Sequence, residues 1–191
     1  MKKTLTIMLL AALCLTACGS INTDTDQETS QTTTDSATES SATAASSEGS
    51  STAAPGYELS IPDEFSQLEI EGMEFYYAAE DGSSVSLNLQ PKDPDFSQVS
   101  AELLETSLAS AFSQTYGENI DITDNYFTTK NISGYPAYQY CISYELQGTG
   151  VTQIIIGIDA DQTYTFTYTD LTGSWTDSFE TSAGTITLTT E

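Results

Sequence analysis

Histidine and arginine are absent, and the only basic side chains are Lys2, Lys3, Lys92 and Lys130. Without histidine there is no Ser-His-Asp or Cys-His nucleophile system and no histidine-based zinc site. Phosphate and nucleic-acid recognition need clustered Lys and Arg, so nucleic acid is excluded as a partner. No glycine-rich phosphate loop or dinucleotide fingerprint occurs, so no cofactor is implied. Cysteine is equally scarce: Cys14, Cys18 and Cys141 are the three. Cys141 stands alone in the C-terminal part and has no partner there for a disulfide. The one long apolar run, Leu5 to Leu15, falls short of the roughly 20 residues that span a bilayer.

That run carries the clearest signal in the chain. Lys2 and Lys3 precede it, and Leu15-Thr16-Ala17-Cys18 closes it with a small residue directly before a cysteine. This is the layout of a secretory leader ending at a processing site. The segment resembles the lipobox of bacterial lipoproteins, which implies removal of residues 1–17 and lipidation of Cys18. The implied location is the extracytoplasmic face of the cell membrane, with the membrane as a partner through Cys18. Two acyl chains at about 0.8 kcal/mol per buried methylene make a stable anchor. An ordinary secretory leader cut after Ala17 is the rival reading, and it would leave Cys18 as a bare thiol.

Residues 18–56 form the second region. Ser and Thr dominate it, the acids Asp24, Asp26, Glu28, Asp35, Glu39 and Glu48 are scattered through it, and Ile21 is its only bulky apolar side chain. Such a composition buries too little apolar surface to offset the entropy of ordering, which predicts a disordered linker. Its typical end-to-end distance is on the order of 35 Å.

Residues 57–191 hold all eleven tyrosines, all seven phenylalanines and Trp175, and their length suits one domain. Period-two alternation marks half-buried strands at Val85, Leu87, Leu89; at Ile154, Ile156, Ile158; at Tyr164, Phe166, Tyr168; and at Tyr138, Tyr140, Ile142, Tyr144, Leu146. Turn chemistry at Glu80-Asp81-Gly82, Gly148-Thr149-Gly150 and Asp159-Ala160-Asp161-Gln162 joins them as antiparallel hairpins. Shorter strands are expected at 57–61, 69–70, 73–79, 120–130 and 185–189. Val99, Leu103, Leu104, Leu108, Ala111, Phe112 and Thr115 recur at helical spacing, with Asp95, Ser97 or Ser100 to cap the start and Gly117 to end it. A second helix is expected over 174–183, with Trp175 and Phe179 on one face. The predicted class is α+β, an antiparallel sheet flanked by helices.

This order of elements, opening on Tyr57-Glu58-Leu59-Ser60-Ile61-Pro62 and passing through Gly134-Tyr135-Pro136-Ala137, resembles the Mog1/PsbP-like fold. It is similar in particular to the PsbP-like and DcrB-like domains of bacterial lipoproteins. The resemblance covers residues 57–191 and implies a non-enzymatic binding or accessory module with a protein or peptide partner. It carries no motif residues, so no catalytic, cofactor-binding or metal residue is assigned.

The residues themselves leave two other classes open. The 28 acids opposed only by Lys92 and Lys130 put the chain beyond the leader near −26, and setting aside the six linker acids leaves the domain near −20. Asp93 with Asp95, Asp121 with Asp124, and Asp159 with Asp161 raise a calcium or other cation reading, although none has the spacing of a calcium loop. A small hydrolase using two carboxylates, assembled in space and not in sequence, is the other. Cys141 lies opposite the tyrosines of its strand, without an activating base, as a small structural residue. Tyr76, Tyr126, Tyr135 and Tyr138 are candidates for a recognition groove, with core packing as the competing reading.

Overall fold

The computed structural model describes residues 56–117 and 119–189. The leader, Cys18 and residues 19–55 of the linker lie outside the described residues. The elements are β1 (Gly56–Glu58), β2 (Ser66–Leu68), β3 (Phe75–Ala78), β4 (Ser84–Pro91), α1 (Ala101–Tyr116), β5 (Ile122–Ile132), β6 (Tyr135–Leu146), β7 (Thr149–Asp159), β8 (Gln162–Asp170), α2 (Thr176–Ala183) and β9 (Thr187–Thr189). Seven strands form one sheet in the order β2-β3-β4-β8-β7-β6-β5, and β1 pairs β9 separately. Every pairing is antiparallel. The α+β class read from the sequence is the observed one. β1 begins at Gly56, one residue before the boundary expected from composition.

Two tight turns set the register of the central strands. Ser133 and Gly134 have φ of 52° and 92°, and Gln147 and Gly148 have φ of 52° and 82°. Positive φ at both central positions gives the two-residue turn whose twist matches its flanking strands. The expected turn at Gly148-Thr149-Gly150 therefore sits earlier, and Thr149 and Gly150 already pair with Leu146 and Glu145. Tyr135 and Pro136 open β6. Pairing with β7 starts at Ala137, so the missing N–H of Pro136 costs no ladder bond. The strand expected at 69–70 is displaced to Ser66–Leu68, because the chain turns at Ile70 to Met73 through Gly72 at φ 85°.

Both faces of the sheet are covered. On one, Leu104, Leu108 and Phe112 of α1 pack on Tyr138, Tyr140, Ile142, Tyr144, Leu146, Val151 and Ile155. Ser100 caps α1 by accepting from Leu103 N, and Gly117 ends it at φ 72°. On the other, Phe179 and Ala183 of α2, with Leu188 of β9 and Phe65, cover Val85, Leu87, Ile154, Ile156, Ile158, Tyr164, Phe166 and Tyr168. Alternation along each strand divides its residues between these cores. β7 shows this most directly, since Ile155 faces α1 while Ile154 and Ile156 face α2. No helix among the described residues is long and apolar enough to cross a membrane.

Candidate functional site

The densest group of ionisable and amide side chains sits where α2 meets the β5–β6 hairpin. Strand alternation sends Tyr126 and Lys130 of β5, and Gln139 and Cys141 of β6, to the α2 side of the sheet. Glu180 reaches them from α2. The Tyr126 hydroxyl donates to Glu180 Oε1, and Gln139 Nε2 donates to Glu180 Oε2 at 2.8 Å and to the Tyr126 hydroxyl at 2.7 Å. Lys130 Nζ closes the chain by donating to Gln139 Oε1 at 2.6 Å. Behind them Asn125 Nδ2 donates to Ser143 Oγ at 2.8 Å and contacts Cys141 Sγ at 3.6 Å.

These contacts define what the group does chemically. Burial, and then the hydrogen bond to Glu180, push the Tyr126 hydroxyl well above its ordinary range. Burial lowers the Lys130 ammonium, opposed by the charge of Glu180. Burial also raises the Cys141 thiol, so it stays protonated at neutral pH and is no nucleophile. Both carboxylate oxygens of Glu180 are occupied by neutral donors. The cluster is a partly exposed, mutually hydrogen-bonded polar seam between helix and sheet.

The four candidate tyrosines do not form one groove. Tyr138 is buried on the α1 side, its ring 5.5 Å from that of Phe96. Tyr76 is buried as well. Tyr126 and Tyr135 both border the α2-side core, and Tyr135 pairs with Ile132, six strand positions along β5 from Tyr126. The acidic pairs are also separate: Asp93 Oδ1 accepts from Asp95 N at 2.9 Å, and Asp159 lies 3.2 Å from Lys92 Nζ. Asp121 and Asp124 are exposed. Among the described residues no three His, Cys, Asp or Glu side chains are grouped to hold a metal ion.

A carboxylate pair that sequence reading missed lies at the β8–α2 corner. Asp170, 1% exposed, accepts from Thr172 N at 3.0 Å, Gly173 N at 2.8 Å, Trp175 N at 2.9 Å and Thr176 Oγ1 at 2.8 Å. Asp81, in the turn after β3, accepts from Ser83 N at 2.9 Å and Trp175 Nε1 at 2.8 Å. The Thr172 hydroxyl bridges the two carboxylates at 3.3 and 3.4 Å. Burial pushes each upward, yet the donors outweigh it and hold both below the ordinary carboxylate range. Two ionised carboxylates without a raised partner lack the acid that glycosidase chemistry needs. Their work is structural: α2 has no capping side chain at Trp175, and Asp170 supplies the acceptor from the preceding strand.

The solution structure of cyanobacterial PsbP (CyanoP) from Synechocystis sp. PCC 6803 superposes with a TM-score of 0.55 at 11% identity, covering 75% of this chain and 98% of that one. The fold is PsbP-like. LpqN of Mycobacterium tuberculosis, described as involved in cell envelope biogenesis, is a more distant likeness, with a TM-score of 0.47 at 12% identity over 74% of this chain and 87% of that one. No protein-family model and no curated protein matches the sequence.

Proposed function

We propose that this chain is a lipid-anchored extracytoplasmic module, tethered through Cys18, that binds or assists a protein or peptide partner and performs no catalysis of its own. The observation that carries the reading is the commitment of the grouped polar side chains to each other. Glu180, Tyr126, Gln139 and Lys130 satisfy one another, and Asp81 and Asp170 hold the corner before α2. A scaffold whose grouped polar side chains hold its own architecture suits recognition through surface shape. The Leu15 to Cys18 pattern supports the anchor, and the Ser/Thr-rich segment after it supports a spacer that holds the domain off the bilayer. The DcrB-like resemblance supports the same placement.

Metabolic labelling with a fatty acid tests the anchor: the wild-type chain takes up label, and Cys18→Ala takes up none and is uncleaved or released. Label on Cys18→Ala defeats the assignment. Crosslinking on intact cells, followed by identification of neighbours, tests the binding role; a reproducible neighbour lost on release of the domain is the expected result.

A further inference from the structure

Among the described residues, one margin of the sheet ends in a long strand with no second strand partner. There β5 pairs only with β6 among the described residues, whereas the opposite margin is the three-residue β2. Pairing of β5 with β6 is regular from Tyr126↔Cys141 to Ile132↔Tyr135, and the irregularity between Asp124 and Tyr126 bounds this stretch. The two-residue turn at Ser133 and Gly134 makes Ile132 and Tyr135 a hydrogen-bonded pair. Bonded and non-bonded positions alternate from there, so Tyr126, Thr128, Lys130 and Ile132 turn their N–H and C=O groups toward β6. Phe127, Thr129 and Asn131 turn theirs away from the sheet. Thr128, Thr129 and Asn131 are exposed.

The charge distribution selects what this edge admits. The chain holds 28 acids and a net charge of −24, yet not one Asp or Glu occurs from Asn125 to Tyr144. That interval is the regular part of β5 and nearly all of β6. Lys130, a residue type that ordinarily defends an edge, is folded inward onto Gln139 at 2.6 Å. The segment Tyr126 to Ile132 is therefore β-prone, free of carboxylates and proline, and open along its outer side.

We propose that β5 is a self-pairing edge, joining a second copy of this chain antiparallel about a two-fold axis at Thr129. The outward groups are self-complementary in that arrangement: Thr129 faces Thr129 of the second copy and Phe127 faces Asn131, each pair exchanging two hydrogen bonds. The net charge of the domain opposes close approach of two copies, and along this acid-free stretch no carboxylate of one strand is set against one of the other. The arrangement joins two sheets into one and holds whether or not Cys18 is lipidated.

Sedimentation of the full chain in a mild nonionic detergent tests this. The wild type gives a monomer–dimer equilibrium, and dimer gains as salt rises from about 50 to about 500 mM, because screening weakens the repulsion between two acidic bodies. Thr129→Pro removes an outward N–H and no bond to β6, so the dimer weakens about tenfold or more while the melting temperature holds. Should Thr129→Pro misfold, Thr129→Asp replaces it, placing two carboxylates at the axis from an exposed position. For register, Thr129→Cys copies join through a short thiol crosslinker above the parent's background. Thr123→Cys copies, about 40 Å apart in this arrangement, do not. A wild type that stays monomeric at all concentrations and salts, a dimer indifferent to both Thr129 variants, or crosslinking at 123 equal to that at 129 overturns the proposal.

Discussion

The indole Nε1 of Trp175 donates to Asp81 Oδ2 at 2.8 Å, joining residues 94 apart in sequence. The bond ties the turn between β3 and β4 to the start of α2. Thr172 reinforces it by reaching both Asp81 and Asp170, and Leu171 N donates to Ser83 Oγ at 3.1 Å in the same corner. The ring of Trp175 in turn meets Phe65 edge-on at 4.9 Å, so the corner also closes the α2-side core.

Asp170 is the keystone of that corner and the residue whose loss costs most there. Asp170→Ala strands the Trp175, Gly173 and Thr172 amides without their acceptor. The expected destabilisation is about 1.5–3 kcal/mol, the range for hydrogen bonds to a charged acceptor, because the amides of the exposed Thr172 and Gly173 regain water while the buried carboxylate that joins them is lost. Chemical denaturation of the variant beside wild type measures it; a loss below about 1 kcal/mol would contradict the role.

The acid limb of the stability curve follows from the same two carboxylates. Asp81 and Asp170 have folded pKa values below the ordinary one, so their contribution is full above about pH 4 and is lost as pH falls through the depressed folded value. Between pH 7 and about 5 neither takes up a proton. In that window the domain's large net negative charge governs, and its self-repulsion eases as pH falls toward the carboxylate range, so stability grows as pH falls. Thermal midpoints should climb from pH 7 to about 5 and fall below about 4. Asp170→Asn should blunt the fall, and added salt should raise the midpoint at pH 7. A midpoint lower at pH 5 than at pH 7 would refute the repulsion argument.

Gly157 is required by a ring. It pairs with Tyr138, and a Cβ at Gly157 would lie 2.3 Å from Tyr138 Cε1. The tyrosine lies across the glycine, filling the space a side chain would take. Gly157→Ala should cost roughly 1–3 kcal/mol by displacing Tyr138 from Phe96 and Phe127. Paired with Tyr138→Ala, it should be nearly silent; additive losses in the double variant would show that the ring is not the obstacle.

Cys141 should be inert in the folded protein. It is buried, its thiol is held above the ordinary range by burial, and Asn125 covers it. Iodoacetamide at pH 8 should leave Cys141 unmodified until denaturant is added, as read by mass mapping of the labelled residues. Rapid native labelling at that position would mean that the β5–β6 edge opens.

Much of the fold is legible in the sequence because strands and helices announce themselves through local alternation. Tyr138, Tyr140, Ile142, Tyr144 and Leu146 form one face of β6, and that face is the one under α1. Ser100 and Gly117 bound α1 through local cap chemistry. Boundaries failed where a turn competed with alternation: Gln147 at positive φ gave no warning beside Gly148, and Glu69 and Ile70 read as strand although the chain turns there. The β8–α2 corner escaped notice because α2 takes its cap from Asp170, outside the local pattern that marks a capping residue.

By itself the sequence determined the absence of histidine and arginine chemistry, the acidic balance, the alternation that makes the sheet and the spacing that makes α1, all of which depend on residue type and near neighbours. Only the tertiary structure decided which residues meet. It split the candidate tyrosines between two cores and brought Glu180 to Tyr126 and Gln139. It also brought Asp81 to Trp175, and left β5 at the margin of the sheet. Strand order and the packing of helices onto faces are settled by contacts between distant segments, and alternation along a strand says that a face is buried without saying what buries it.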